Sequence, residues 1–323
     1  MHLVNSLIFL TAIFGGCLQD YAIVTGKTET VYETVEVPVY VEEEVIVNVD
    51  SGESDPEVWV DSFMQVNTVD GVDILWVIDT SGSMMSYQGQ LLAGIEHMMN
   101  ALPDAGWRLV MMSTDPDEVV LENQFPLVPG DTITDAEDMY ALINTGPAEK
   151  GFDSAIAYIQ TNPYAMTWMR PEAALLVVFV SDEDDQSDDF AGASDFVNWY
   201  TGRRYGNVFL ASIVTQESEI SVCDSWRAGS QVGKTYMEAT AMLSGTIVDI
   251  CADDWTPGVS DATTQIQPRD SIQLTHTPDA ATIRVFIDGQ QYYDWIYISS
   301  SNTVQFLILP PGGALVEVGY IIE

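Results

Sequence analysis

The sequence predicts an α/β fold, a doubly wound and mostly parallel sheet followed by a small C-terminal β-sandwich, on three observations. First, Ile74 to Ile78 is apolar without polar alternation, which is how a strand covered on both faces reads. Second, similar runs recur at Trp107 to Ser113, Ala173 to Val180, Val208 to Val214 and Thr246 to Cys251, separated by stretches that include segments with helical spacing. Strands alternating with helices predict a parallel sheet covered on both faces. Third, the apolar period changes at about Ile266, and the remainder carries short alternating runs between turns.

Taken in order, Met85 to Leu102 places Leu91, Leu92, Ile95, Met98, Met99 and Leu102 on one helical face. The methionines there read as core filling rather than a binding stripe, with His97 at the edge. Pro103 and Gly106 end that helix. Asp117 to Asn144 reads as irregular, with a helical patch at Ala136 to Ile143. Further helices are expected at Glu149 to Ile159, Ser194 to Tyr200, Tyr236 to Leu243 and Val259 to Gln265. In the last part, Ile283, Val285 and Ile287, then Val304, Phe306 and Ile308, then Leu315 to Tyr320 alternate. Turns are expected at Asp288-Gly289, Ser299 to Asn302 and Pro310 to Gly313. Trp295 and nearby tyrosines are read as the core of this unit rather than a ligand-stacking face.

The N-terminal region is of another kind. Leu3 to Phe14 is apolar, long enough for a signal segment and short of the roughly 20 residues a spanning helix needs. Gly15-Gly16-Cys17 follows, and small residues before a cysteine resemble the bacterial lipoprotein signal, in which Cys17 is acylated. The region has no Lys or Arg, and Phe14 stands where leucine is usual; an ordinary secretory signal cut near Gly16 is the alternative. Lys27 to Glu57 alternates valine with acid or threonine, interrupted by Pro38, and is read as an extended, self-repelling linker rather than a β-rich stalk. Such a linker spans on the order of 100 Å. The expected division is residues 1–17 signal, 18–58 acidic linker, 59–267 α/β domain and 268–323 β domain.

Composition narrows the function classes. With 49 acids against 10 bases the formal charge is −39, which argues against nucleic acid or an anionic membrane surface as a partner recognised by charge. Solubility at high ionic strength is the plainer account of that charge. Of three cysteines, setting Cys17 aside leaves Cys223 and Cys251, a pair that an exported chain is expected to oxidise. Their bond closes a loop of about 28 residues, worth roughly 3 to 4 kcal/mol on the chain-entropy model; two buried free thiols are the alternative. With no CxxC and three histidines, zinc and thiol-redox chemistry are poor readings.

The candidate site follows the first buried strand. Asp79-Thr80-Ser81-Gly82-Ser83 stands where ligands bind in open α/β sheets, beyond the carboxyl end of a strand. One carboxylate and two hydroxyls around a turn suit a hard cation, although a polar turn with a capping serine has the same composition. This D-x-S-x-S segment resembles the metal-ion-dependent adhesion site of von Willebrand factor type A domains, with Asp79, Ser81 and Ser83 matching its motif over a resemblance from Val72 to Gln267. The resemblance implies a threonine and an aspartate from later loops. Asp182, after the strand Ala173 to Val180, takes the aspartate position; Thr145 is the best match for the threonine, with Thr114 as the fallback.

The implied ion is Mg2+, or Mn2+ or Ca2+, held so that a coordination position stays open for a Glu or Asp of a protein ligand. The function expected is an exported, lipid-anchored adhesion module, not an enzyme. The alternatives are a structural envelope or particle component with a vestigial site, and a metal-assisted hydrolase using Asp182 or Glu183 as base. Asp184, Asp185, Asp188 and Asp189 read as a solvated charge run with no role, because the glycine and spacing of an EF-hand loop are missing.

Overall fold

The computed structural model describes residues 20–25, 29–34, 56–68, 70–104, 106–204, 207–216 and 231–322. The chain divides into two units, Met1–Asp55 and Pro56–Glu323. In the first, β1 (Asp20–Thr25) and β2 (Glu29–Thr34) pair antiparallel, from Asp20 opposite Thr34 to Thr25 opposite Glu29. This corrects the extended-linker reading for these two segments. The threonines, valine and tyrosine of β2 favour a pleated strand, and their partner is the segment just before them. Cys17 lies outside the described residues.

The second unit begins with β3 (Val58–Met64) and continues into a five-stranded sheet. That sheet is made of β4 (Val72–Ile78), β5 (Trp107–Ser113), β6 (Ala174–Ser181), β7 (Val208–Val214) and β8 (Thr246–Asp249). All neighbours are parallel and the order is β5-β4-β6-β7-β8. Every residue of β4 and β6 is buried, the structural meaning of their unbroken apolar runs. The chain lays β5 on one side of β4 and returns to lay β6 on the other. The strand order therefore reverses between β4 and β6, and in open α/β sheets ligands bind beyond the carboxyl ends of strands at such a point.

The helices are α1 (Gln88–Ala101), α2 (Pro116–Val119), α3 (Ile133–Ala141), α4 (Gly151–Thr161), α5 (Ala165–Trp168), α6 (Ala193–Thr201), α7 (Lys234–Met242) and α8 (Thr256–Gln265). Trp76 lies beside Val178 and Val77 beside Phe179, and laterally paired residues share a face. On the Trp76 face, α1 packs with α8 so closely that a Cβ on Gly94 would stand 3.3 Å from Val259 and 3.7 Å from Trp76. On the opposite face Phe179 meets Phe152 of α4, Phe196 of α6 and Tyr236 of α7, with Phe152 stacked on Phe196 at 4.0 Å. The helix expected from Met85 opens instead as a 3-10 turn, Gly82–Tyr87, before α1.

The C-terminal β strands are β9 (Ser271–Gln273), β10 (Arg284–Ile287), β11 (Gln290–Tyr292), β12 (Trp295–Ile298), β13 (Thr303–Phe306) and β14 (Leu315–Ile321). They form two antiparallel sheets, β11-β10-β14-β3 and β12-β13-β9, around a core that includes Phe63, Val285, Val304, Phe306, Val316, Val318 and Tyr320. Trp295 packs against that core, as expected. The Asp288-Gly289 turn has positive φ at both residues, 50° and 73°, which suits a two-residue hairpin whose twist matches its strands.

One assignment differs from the expected division. Val58–Met64 runs antiparallel to β14, from Val58 opposite Ile321 to Met64 opposite Leu315. The β domain is thus built from both sides of the α/β domain in sequence, and a boundary read from local periodicity does not show a partner more than two hundred residues away. Gln65, 2% exposed, joins the two strands of the connection: its Nε2 donates to Arg269 O (2.8 Å) and its Oε1 accepts from Arg269 N (2.9 Å).

Candidate metal centre

The site is assembled where β4 and β6 end. Asp79 N–H donates to Val180 O (2.8 Å), which fixes the start of the turn against the neighbouring strand. The Asp79 carboxylate, 1% exposed, accepts Ser81 N–H on Oδ1 (2.8 Å) and the Ser181 hydroxyl on Oδ2 (2.8 Å). Both of its oxygens are therefore engaged in shaping the turn. Ser83 Oγ donates to Asp182 Oδ1 (3.0 Å), and Ser81 Oγ lies 2.9 Å from Ser83 Oγ. Because the Ser83 proton goes to the carboxylate, the Ser81 proton points at Ser83, and the Ser81 lone pairs stay available.

Asp182 is fully buried, and its Oδ2 has no hydrogen-bond partner. Burial pushes its carboxyl up to about 6, helped by the charges of Asp79 and Glu183 and opposed by the Ser83 hydrogen bond. Glu149 is pushed up to about 8 by burial first, then by its contact with Glu183 and by the charges of Asp79 and Asp182. Among the described residues, no ion pair joins either acid to a cation. Buried carboxylates are normally paired with cations or coordinate metals. The orphaned Asp182 oxygen beside two hydroxyls is thus a donor set that fits a hard divalent ion. Among the described residues, no group of three or more His, Cys, Asp or Glu side chains forms a metal cluster. What converges by hydrogen bonds is two serine hydroxyls with the Asp182 carboxylate, braced by Asp79.

Four of the five residues expected as ligands are joined in this way: Asp79, Ser81, Ser83 and Asp182. Thr145 is exposed in the loop before α4, and no hydrogen bond joins it to the other four. Thr114, the fallback, is buried and donates its hydroxyl to Ala148 O (2.9 Å). Sequence reasoning passed over Ser181, Glu149 and the ligand-side contact of Glu183. Ser181 is signalled only by directly following an apolar run, and Glu149 reads as the start of a helix that in fact begins at Gly151.

Two of the four acids in the loop are not a solvated run, while Asp188 and Asp189 are exposed as expected. Asp184 accepts Thr235 N–H (2.8 Å) and the Thr235 hydroxyl (3.0 Å) at the start of α7. Asp185 Oδ1 accepts Phe152 N–H (3.2 Å) at the start of α4, and Asp153 accepts the N–H groups of Asp188 (2.9 Å) and Asp189 (3.2 Å). Carboxylates satisfy free N–H groups at helix starts and complement the helix dipole. The loop after Asp182 is therefore pinned to two helices. Tyr236 adds a buried hydroxyl that accepts Gly151 N–H (3.2 Å); a Cβ on Gly151 would stand 2.5 Å from that oxygen.

No family model matches the chain, and no curated protein matches it. Similar solved structures include proximal thread matrix protein 1 from the mussel byssus, at 9% identity and TM-score 0.40, covering 65% of this chain and 50% of that one. The pilus adhesin SpaC from Lactobacillus rhamnosus GG, in its open conformation, matches at 10% identity and TM-score 0.39, over 84% of this chain and 42% of that one. Manganese-loaded TRAP protein of Plasmodium vivax matches at 13% identity and TM-score 0.34, over 72% of this chain and 91% of that one. The chain spans half or less of the first two. At these scores the likenesses carry no argument about chemistry, and the site stands on its own geometry. Among the described residues, no helix is long and apolar enough to cross a membrane.

Proposed function

We propose that the chain is an exported, lipid-anchored adhesion module with a head of the von Willebrand factor type A kind. In this reading the head binds Mg2+, or Mn2+ or Ca2+, and through it an acidic group of a protein ligand. The observation that carries the reading is Asp182, a fully buried carboxylate with one oxygen on Ser83 and the other unpartnered, at the point where the strand order reverses. Ser81, Ser83 and Asp182 would hold the ion, with Asp79 as orienting acid. When bound, the ion supplies a positive centre to which a ligand carboxylate is drawn, on a chain whose net charge of −39 would otherwise repel it.

The residues prepare that arrangement before any ligand arrives. Asp79 shapes the turn through Ser81 N–H and is itself braced by Ser181, so both serine hydroxyls are presented on one side. Asp184 and Asp185, bonded to the starts of α7 and α4, restrain the backbone that carries Asp182. A disulfide between Cys223 and Cys251 belongs to the same exported setting. Cys251 is a bonded thiol, which supports it; Cys223 lies outside the described residues.

Calorimetry of the full chain with each ion tests the site. Saturable binding is expected, lost in Asp79→Ala with the circular dichroism spectrum kept. At an ion concentration 100 times Kd, the wild type should gain about 2.7 kcal/mol of unfolding free energy. Unaltered affinity in the variant would refute the site. Capture of a partner from surface extracts, released by chelator, separates adhesion from a purely structural role. For the anchor, labelled palmitate is expected on the wild type and not on Cys17→Ser; an unlabelled wild type overturns lipidation.

A further inference from the structure

We infer that Glu149, rather than the Thr145 hydroxyl, completes the set of groups that holds the ion, an inference that rests on the metal reading above. The backbone around Glu149 is clamped to the strand ends. Thr114 N–H donates to Ile78 O (3.1 Å), the residue before Asp79; the Thr114 hydroxyl donates to Ala148 O (2.9 Å), and Lys150 N–H donates to Thr114 O (3.0 Å). Glu149 therefore sits between two contacts onto a residue that is itself bonded to the end of β4.

Its side chain faces the loop that follows Asp182. Gln186 Nε2 donates to Glu149 Oε2 (2.6 Å) and reaches Glu183 Oε2 at 3.5 Å, while Gln186 N–H donates to Glu149 O (2.8 Å). Gln186 Nε2 thus lies between the Glu149 and Glu183 carboxyls, and the charges of Glu183, Asp79 and Asp182 all act on Glu149. The adjacent cation does not relieve this crowding, because Lys150 Nζ pairs with Asp188 at 2.5 Å. Independently, the unpartnered Asp182 Oδ2, on a residue with no exposure, marks a ligand position among these acids.

A divalent ion bound at Ser81, Ser83 and Asp182 would bring positive charge to carboxyls that, among the described residues, no ion pair reaches. Glu149 would act on that ion directly or through one water. Added negative charge raises the affinity of oxygen sites for Ca2+ in particular, whose flexible shell accepts 6–8 oxygens. Thr145, exposed and not bonded to this group, has no such role.

Ca2+ and Mg2+ calorimetry on the full chain, with Asp79→Ala, Glu149→Gln and Thr145→Ala, separates the two readings. Groups that orient or charge a metal site typically cost 10-fold to 100-fold in affinity when changed. Glu149→Gln is expected to weaken Ca2+ binding at least 10-fold and Thr145→Ala to stay within about 2-fold. In chelator, Glu149→Gln should melt at or above the wild-type temperature, since it removes the cost of burying an acid among other acids; a side chain with a structural role alone would melt lower and leave affinity unchanged. If wild type and Asp79→Ala bind alike or not at all, both readings fall. If Asp79→Ala loses binding while Glu149→Gln keeps it, or Thr145→Ala loses it, only the present inference is overturned.

Discussion

At the amino end of β4 the fully buried Asp73 carboxylate accepts Arg170 Nε (2.9 Å) and Nη2 (2.7 Å) on Oδ1 and Arg170 N–H (2.7 Å) on Oδ2. Arg204 Nη2 stands 3.7 Å away. At the carboxyl end Asp79 and Asp182 are buried as deeply, yet their partners are hydroxyls and one backbone N–H. One end is neutralised by the chain itself, and among the described residues no ion pair reaches the carboxylates at the other. The cost of burying an unpaired charge is the same at both ends. The difference therefore separates an acid matched to guanidinium groups from acids matched, among the described residues, to hydroxyls and backbone.

The largest effect expected from this contrast is on stability. Arg170→Ala strips the fork from Asp73 and should cost about 3–5 kcal/mol, the usual penalty for breaking a buried pair from one side. Denaturant unfolding measures it. Divalent-ion affinity of the folded fraction should not change, because the substitution lies at the opposite end of the strand. A loss below about 1 kcal/mol would mean that Asp73 is as tolerant of isolation as Asp182, and the contrast would collapse.

What the sequence makes legible follows the same division between local and distant causes. β6 and β7 are legible within a residue, and β4 at its carboxyl end, because strands buried on both faces leave unbroken apolar runs. Asp79 directly follows one such run and Asp182 stands one residue past another. Glu149 is not legible in this way, since its position is set by Thr114 on Ala148 and by Gln186, contacts across 34 and 37 residues that no period encodes. Its loop also offered a threonine that fitted the resemblance better. The pairing of β3 with β14 is hidden for the same reason. Asp184 and Asp185 looked like a charge run because composition cannot show which N–H groups a carboxylate meets.

A smaller effect tests whether the cation-poor end carries its acidity at a cost. Asp185 is pushed up to about 6, burial being the main cause, against the ordinary 3.8. Between those values the folded chain holds a proton that the unfolded chain has released. Stability therefore falls as pH rises through this window, by about 1.4 kcal/mol per unit and about 3 kcal/mol in all, with the loss complete above the folded value. Urea unfolding in chelator from pH 4.5 to 7 should show the downward slope. Asp185→Asn keeps one oxygen for Phe152 N–H and removes the titration, so its profile should flatten relative to wild type. An unchanged slope in the variant would move the cost to another acid, and a rising slope in the wild type would contradict the raised carboxyl itself.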